Sequence, residues 1–423
     1  MFLCCWVAVL GVAAGAVAEG PAPPNVVMII SDDQAWTDYG FMGHEAIRTP
    51  HLDRLAAEGA LFTRGYVPGS LCRCSLATLV TGLYPHQHAI TSNDPPPGTE
   101  RHEMLRHIEA ATTLPSLLST RGYLSMQTGK WWEGHHRLGG FTHGMTHGDP
   151  ARGGRHGDEG LKIGREGLQP IVDFLDEAGA RPFFLWYAPF LPHTPHNPPE
   201  RLLAKYQAPG RPEPVARYWA MCAWFDETVG DLLGLLEARG LWENTLVIYV
   251  TDNGWIQQPD GPGFAPRSKR SPYDGGLRTP IILHWPGKVA PRRDEATLVL
   301  SLDLIPTILR AAGLEPTPAM PGIDLLPLCR GGEPGRTRIF GEVFAHDAVD
   351  LERPDRSLEY RWCIDGDWKL ILPHRPGEAP ALYHLGEDPF EQQDRAASEA
   401  ERVAALRAAI EAWWPVPPAD PQP

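Results

Sequence analysis

Two pairs of oxygen-bearing side chains follow apolar runs in this chain. Asp32-Asp33 comes after residues 25–30 (NVVMII), and Asp252-Asn253 comes after residues 246–251 (LVIYVT). Three carboxylates and an amide oxygen form a hard, oxygen-only donor set, suited to Ca²⁺ or Mg²⁺ and not to zinc. Either pair alone reads equally well as a solvated turn or a helix cap, where Asp and Asn are common. The placement of both pairs after apolar runs is what suggests a shared metal site.

For these groups to meet, the runs that carry them must lie side by side with their carboxyl ends together. Open α/β sheets collect functional groups at those ends. Residues 25–30, bounded by Pro24 and Ser31, have the length and composition of a buried strand. Further apolar runs stand at 182–188 (PFFLWYA), 246–250 (LVIYV) and 281–285 (IILHW). Helical patterns separate them, a short one at 50–59 with Leu52, Leu55 and Ala56 on one face and a long one at 215–239 stopped by Gly240. This alternation predicts an α/β fold, a large mainly parallel mixed sheet flanked by helices. From residue 336 the texture changes. Runs at 362–364 and 368–372 flank Asp365-Gly366, a strong hairpin signal, and a third run at 382–385 precedes an Ala-rich helix at 396–413. We therefore expect a catalytic domain over 24–335, a small antiparallel sheet plus helix over 336–415, and a disordered Pro-rich tail at 416–423.

Composition narrows the function. The chain has 423 residues, 43% hydrophobic and 21% charged, which excludes collagen-like, coiled-coil and wholly disordered classes. Its formal charge of −14 gives no general attraction for nucleic acid or anionic lipid, so neither is expected as a partner. Residues 2–18 lack charged side chains and end in Ala16-Val17-Ala18, the pattern of a cleavable signal peptide at 1–18. An uncleaved N-terminal anchor is the alternative. No later stretch reaches the ~20 apolar residues of a membrane span, so an exported protein, periplasmic or extracellular and without stable membrane insertion, is expected. Removal of Cys4 and Cys5 with the signal leaves Cys72, Cys74, Cys222, Cys329 and Cys363, an odd number without a CxxC pair.

One of those cysteines opens a motif. The segment Cys72-Arg73-Cys74-Ser75-Leu76-Ala77-Thr78-Leu79-Val80-Thr81-Gly82 resembles the type I sulfatase signature, C-x-P-S-R followed by a short apolar run and Thr-Gly. Other blocks are similar to the same family in the same order: SDDQAWTDYG, IRTPHLDRLAAEGALFTRGYV, TGLYPHQH, TGKWW, PFFLWYAPFLPHTP, VTDNGW and KRSPYDGGLRTPI. The chain is thus identified as resembling the formylglycine-dependent sulfatases of the alkaline-phosphatase-like superfamily. The resemblance implies Asp32, Asp33, Asp252 and Asn253 as calcium ligands and Cys72 as the formylglycine position, which also faces the metal. It implies Lys130 and Lys269 as sulfate-binding lysines and His193 as an active-site histidine. It also implies a formylglycine-generating enzyme as a maturation partner, and a sulfated carbohydrate or aryl sulfate as substrate.

The residue types suit that chemistry. A sulfate ester is an anion, so its cleavage needs cations to hold the oxygens and stabilise developing charge. An aldehyde hydrate carries two hydroxyls on one carbon, one to attack sulfur and one to drive release of sulfate. A histidine can exchange the proton, and lysines serve as point charges. Three positions depart from the family pattern: Cys74 for proline, Leu76 for arginine, and Trp132 for the histidine of GKWH. His135, in the His-rich stretch with His136, His143 and His147, is the expected replacement donor; zinc binding by His143 and His147 is an alternative. Lys130, Lys269, Arg270 and Arg278 are expected to form a basic mouth. Two further alternatives are a phosphate or phosphonate ester hydrolase of the same fold, and a degenerate sulfatase fold that binds sulfated glycan without turnover.

Overall fold

The computed structural model describes residues 22–148 and 154–417. The expected signal peptide and all but the first two residues of the expected tail lie outside them. Eight strands form the main sheet: β1 (Asn25–Ser31), β2 (Ala60–Phe62), β3 (Leu124–Gly129), β4 (His143–Gly144), β5 (Phe183–Ala188), β6 (Thr245–Thr251), β7 (Ile281–His284) and β8 (Arg292–Asp294). Their spatial order is β4-β3-β5-β1-β6-β7-β2-β8. Only the pairs β6·β7 and β7·β2 are antiparallel, so the sheet is mixed and mainly parallel.

The central strands are buried on both faces, and their side chains alternate between two cores as a period of two requires. Val26, Met28, Phe184, Trp186, Leu246 and Ile248 point to one core. There they meet α2 (Cys72–Thr81) and α5 (Leu304–Ala311). Val27, Ile29, Leu185, Tyr187, Val247 and Tyr249 point to the other. That face is covered by α1 (Pro50–Glu58), α3 (Gln169–Ala178) and the long α4 (Glu213–Ala238).

A second, antiparallel sheet runs in sequence order: β9 (Arg338–Phe344), β10 (Leu358–Asp365), β11 (Trp368–Pro373) and β12 (Ala381–His384). Asp365 pairs with Trp368 across the expected hairpin turn, where Gly366 takes a left-handed φ of 57°. One face of this sheet packs through Ile339, Trp362 and Tyr383 onto Tyr66, Val67 and Leu277 of the main unit. The other carries Cys363, Leu370 and Leu382 under α6 (Ala400–Trp413). The terminal helix therefore starts four residues later than its Ala-rich composition suggests.

Strands β3 and β9 lack a continuous apolar run. In β3 (LSMQTG) the polar side chains find local partners: Thr128 Oγ1 donates to the Trp186 carbonyl at 2.8 Å, and Gln127 Nε2 donates to that of Gly129 at 2.9 Å. In β9, Gly341 interrupts the apolar run because Trp362 lies against it. A Cβ there would fall 2.3 Å from the indole.

Candidate active site

Register assembles the site. β1 and β6 pair in parallel with Ser31 opposite Thr251, so the residues that follow them emerge together. The Asp252 amide donates to the Ser31 carbonyl (2.9 Å), and the Asp33 amide donates to Asp252 Oδ1 (3.1 Å). Asp33 adopts a left-handed φ of 62°, which Asp tolerates better than most residues. On the other side of β1, β5 and β3 end level with each other, Ala188 opposite Gly129. Gly129 is required here, since a Cβ would fall 1.7 Å from the Ala188 carbonyl oxygen. The next residue, Lys130, is thereby delivered to the carboxylates, and His193 follows from the end of β5. Four neighbouring strand ends thus supply Asp32, Asp33, Asp252, Asn253, Lys130 and His193.

Cys72 arrives from a different direction, as the first residue of α2, every residue of which is buried. Its Sγ lies 3.2 Å from Lys269 Nζ and 4.0 Å from Asp33 Oδ1. Lys269 Nζ donates to both oxygens of Asp33 at 2.6 and 2.7 Å. Lys130 Nζ bridges Asp32 Oδ1 (2.5 Å) and Asp252 Oδ2 (3.1 Å). His193 Nδ1 donates to the Thr194 carbonyl at 2.6 Å, which leaves Nε2 as an acceptor, 3.4 Å from Asp33 Oδ2.

Burial and charge set the protonation states. Burial pushes the Cys72 thiol well above its ordinary value, outweighing Lys130 and Lys269, so the side chain as cysteine stays a thiol at neutral pH. Burial raises Asp32 and takes Asp252 up to about 7 against the pull of Lys130. Asp33 is equally buried, yet Lys269, His193 and Lys130 together hold it below the usual carboxylate range. Burial opposes the charge on Lys130 and Lys269, but the carboxylates beside them raise both above the usual lysine value. Burial, followed by Lys130 and Lys269, takes His193 down to about 3 despite Asp33, so it is neutral.

Two buried oxygens in this cluster, Asp32 Oδ2 and Asn253 Oδ1, have no hydrogen-bond partner. A buried acceptor without a donor is costly in water-free surroundings. Both belong to the hard donor set at the strand ends, and the three carboxylates outnumber the two ammonium groups. The residues present therefore fit a hard divalent cation.

Asp33, Cys72, Lys269 and His193 line a cavity of about 610 Å³ whose other walls are Asn93, Trp132, Arg155, His156, Thr194, Pro195, Trp255, Phe264, Arg270 and His346. Three expectations are corrected here. His135 is absent from the lining: Gly134 turns the chain with φ 65°, and the His135 ring packs on His136 and His147, 4.3 and 5.4 Å away. Arg278 is also elsewhere, over the Trp36 ring at 3.9 Å with its Nε donating to the Thr63 carbonyl. His143, offered as a zinc ligand, instead contacts Glu177. Trp132 does face the cavity, and Arg73, three positions from the signature arginine, is locked in a buried bidentate pair with Glu133. His156 was not foreseen, because its Gly-rich segment shows no periodicity or motif.

Comparison with known proteins decides the family. Residues 24–314 match the Sulfatase family model, and residues 265–412 match that of the N-sulphoglucosamine sulphohydrolase C-terminal region. The chain belongs to the sulfatase family. This sulfatase is 32% identical to human arylsulfatase A, with 90% of this chain and 85% of that protein covered. It is 30% identical to the N-acetylgalactosamine-6-sulfatase of Canis lupus familiaris, covering 91% and 84%. In fold it resembles a protein solved in complex with its substrate D-glucosamine-2-N,6-O-disulfate, with TM-score 0.74, 20% identity, and 93% and 97% of the two chains covered. Family membership makes this sulfatase a sulfuric ester hydrolase. Its five described cysteines are all free and buried, and among the described residues no helix is long and apolar enough to cross a membrane.

Proposed function

We propose that this sulfatase removes sulfate from a sulfated carbohydrate, using Cys72 matured to formylglycine and a cation, Ca²⁺ or else Mg²⁺, held by Asp32, Asp33, Asp252 and Asn253. The observation that carries this reading is a buried cluster of two lysines and three carboxylates beside Cys72, of which Asp33, Lys269 and Cys72 itself line one cavity. The hydrated aldehyde would supply the nucleophilic hydroxyl, and the cation would polarise the sulfate oxygens.

The chain's own residues supply the rest. Lys130 and Lys269, both kept charged, hold the sulfate oxygens and stabilise the charge that grows on them. Their carboxylate partners fix each ammonium in place, so little reorganisation is needed at the moment of reaction. His193 Nε2 has a free lone pair and can take a proton from a hydroxyl, then return it to the departing alkoxide. Cys72 stands at the amino end of α2, where the helix favours negative charge. Carbohydrate is preferred over aryl sulfate because the canine relative is named for N-acetylgalactosamine-6-sulfate and the fold neighbour was solved with a sulfated glucosamine. Human arylsulfatase A is the relative that keeps aryl sulfate as the alternative. Within this reading the chain is exported after loss of residues 1–18, is matured by a formylglycine-generating enzyme, and divides into a catalytic unit at 24–335 and a smaller unit at 336–415.

The test is release of inorganic sulfate from sulfated monosaccharides and disaccharides, beside the matching phosphate esters. Turnover of a sulfated sugar, lost on chelation and restored by Ca²⁺, is the expected result. Turnover of the phosphate esters alone would replace the reading, as would glycan binding without sulfate release.

A further inference from the structure

The wall of the cavity beside Lys130 is built by two residues far apart in sequence. Trp132 is buried, its ring lying 5.0 Å from the guanidinium of Arg101 and 4.9 Å from that of Arg155. Its Nε1–H is buried without a partner and has next to no accessible surface. His156 stands edge-on to the same indole at 4.8 Å, with its centroid 6.4 Å from that of His193. The loop is pinned there by the Trp131 amide, which donates to the His156 carbonyl at 2.8 Å.

The protonation of the His156 ring is fixed by its neighbour. Arg155 donates through Nε to Asp94 Oδ1 at 2.8 Å and through Nη2 to Oδ2, a fork that leaves Nη1 to donate to His156 Nε2 at 2.8 Å. An arginine has no acceptor to offer, so Nε2 is the unprotonated nitrogen and Nδ1 carries the hydrogen. That N–H has no partner among the described residues, and the ring lines the same cavity as Cys72 and Lys269. Each of the two lysines is already paired with carboxylates, and His193 Nδ1 is spent on Thr194. The His156 Nδ1–H is therefore an uncommitted neutral donor of this wall.

We propose that His156 is a substrate-contacting residue of the sulfatase reaction, donating its Nδ1–H to an oxygen of the bound sulfate ester, with Asp94 and Arg155 as the positioning pair that fixes its tautomer. This deepens the function proposed above and rests on it. It also assigns to the segment after residue 153 the donor that the sequence suggested for His135.

The test compares H156A, H156N, H156Q, R155M and H135A for sulfate release, with C72A as reference. Asparagine places an amide N–H near the Nδ1 position and glutamine places one near Nε2. Loss of a single preorganised donor lowers kcat by about 10²–10³. The expected pattern is that loss in H156A, recovery of kcat to within about tenfold in H156N, and no such recovery in H156Q. R155M should fall between, because Nε2 then competes for the proton. A purely structural role would lower thermal stability in both amide variants alike and would not separate them. Wild-type kcat in H156A, or a loss in H135A in its place, overturns the inference. Full activity in C72A would instead overturn the function on which it rests.

Discussion

Lys269 Nζ sits 3.2 Å from Cys72 Sγ while gripping both oxygens of Asp33. One ammonium thus joins the proposed formylglycine position to the carboxylate of this cluster that is held below the usual range. Replacing it removes a charge from the sulfate pocket and leaves Asp33 without its nearest cation. K269A should lower kcat/KM for a sulfate ester by about 10²–10³. Steady-state kinetics with one sulfated monosaccharide would check this, and a loss below tenfold would remove Lys269 from the reaction.

The strand-end carboxylates should bind metal and hold Lys130 at once. Lys130 is wholly buried between Asp32 and Asp252, so D32A or D252A leaves a buried ammonium with half its partners. Breaking a buried pair costs about 3–5 kcal/mol. Both variants should melt early, bind Ca²⁺ weakly and release no sulfate. Calorimetric titration with Ca²⁺ separates the two effects: wild-type affinity in both variants would mean that the cation is held elsewhere.

Arg73, next to Cys72, should prove structural. Its guanidinium forks onto Glu133 and donates to the carbonyls of Ser92 and Met104, with both side chains 2% exposed. E133A should therefore cost about 3–5 kcal/mol of stability. Urea unfolding of E133A measures this directly, and an unchanged midpoint would contradict it.

Acid sensitivity should come in part from His88. The Ile90 amide donates to its Nδ1 at 3.1 Å, and Nε2 faces Thr78 Oγ1 at 3.2 Å, an arrangement that suits only the neutral ring. Burial, helped by Arg73, takes its pKa down to about 3. An unfolded histidine titrates near ~6.5, so between those values the unfolded chain binds a proton that the folded one refuses. The sign follows: this contribution is complete above about pH 6.5 and is lost as pH falls toward 3. Unfolding free energies at pH 7 and pH 4.5 should converge in H88N relative to wild type. An unchanged difference between the two pH values would exclude His88 as a source.

The fold was legible because its central strands carry continuous apolar runs and its helices keep their spacing. The residues after β1 and β6 could be grouped from sequence because parallel register brings strand ends together, whereas His193 after β5 stood out only inside a family-like block. Lys130 and Lys269 stood out only inside family-like blocks; nothing in their spacing places either beside a carboxylate. β3 was hidden because Ser125, Gln127 and Thr128 satisfy their polar groups within the sheet. His135 misled because a turn at Gly134 redirects it, and His156 was invisible because Trp131 and Arg155 place it through contacts that composition does not encode.

The claim on which the account turns is the state of Cys72, and peptide mass across residues 65–73 tests it most directly. Protein from its native host would be reduced, alkylated and digested. The account predicts a mass for aldehyde or its hydrate at position 72, with no alkyl group added, despite Cys74 and Leu76 in the motif. Fully alkylated cysteine in active native protein would contradict it.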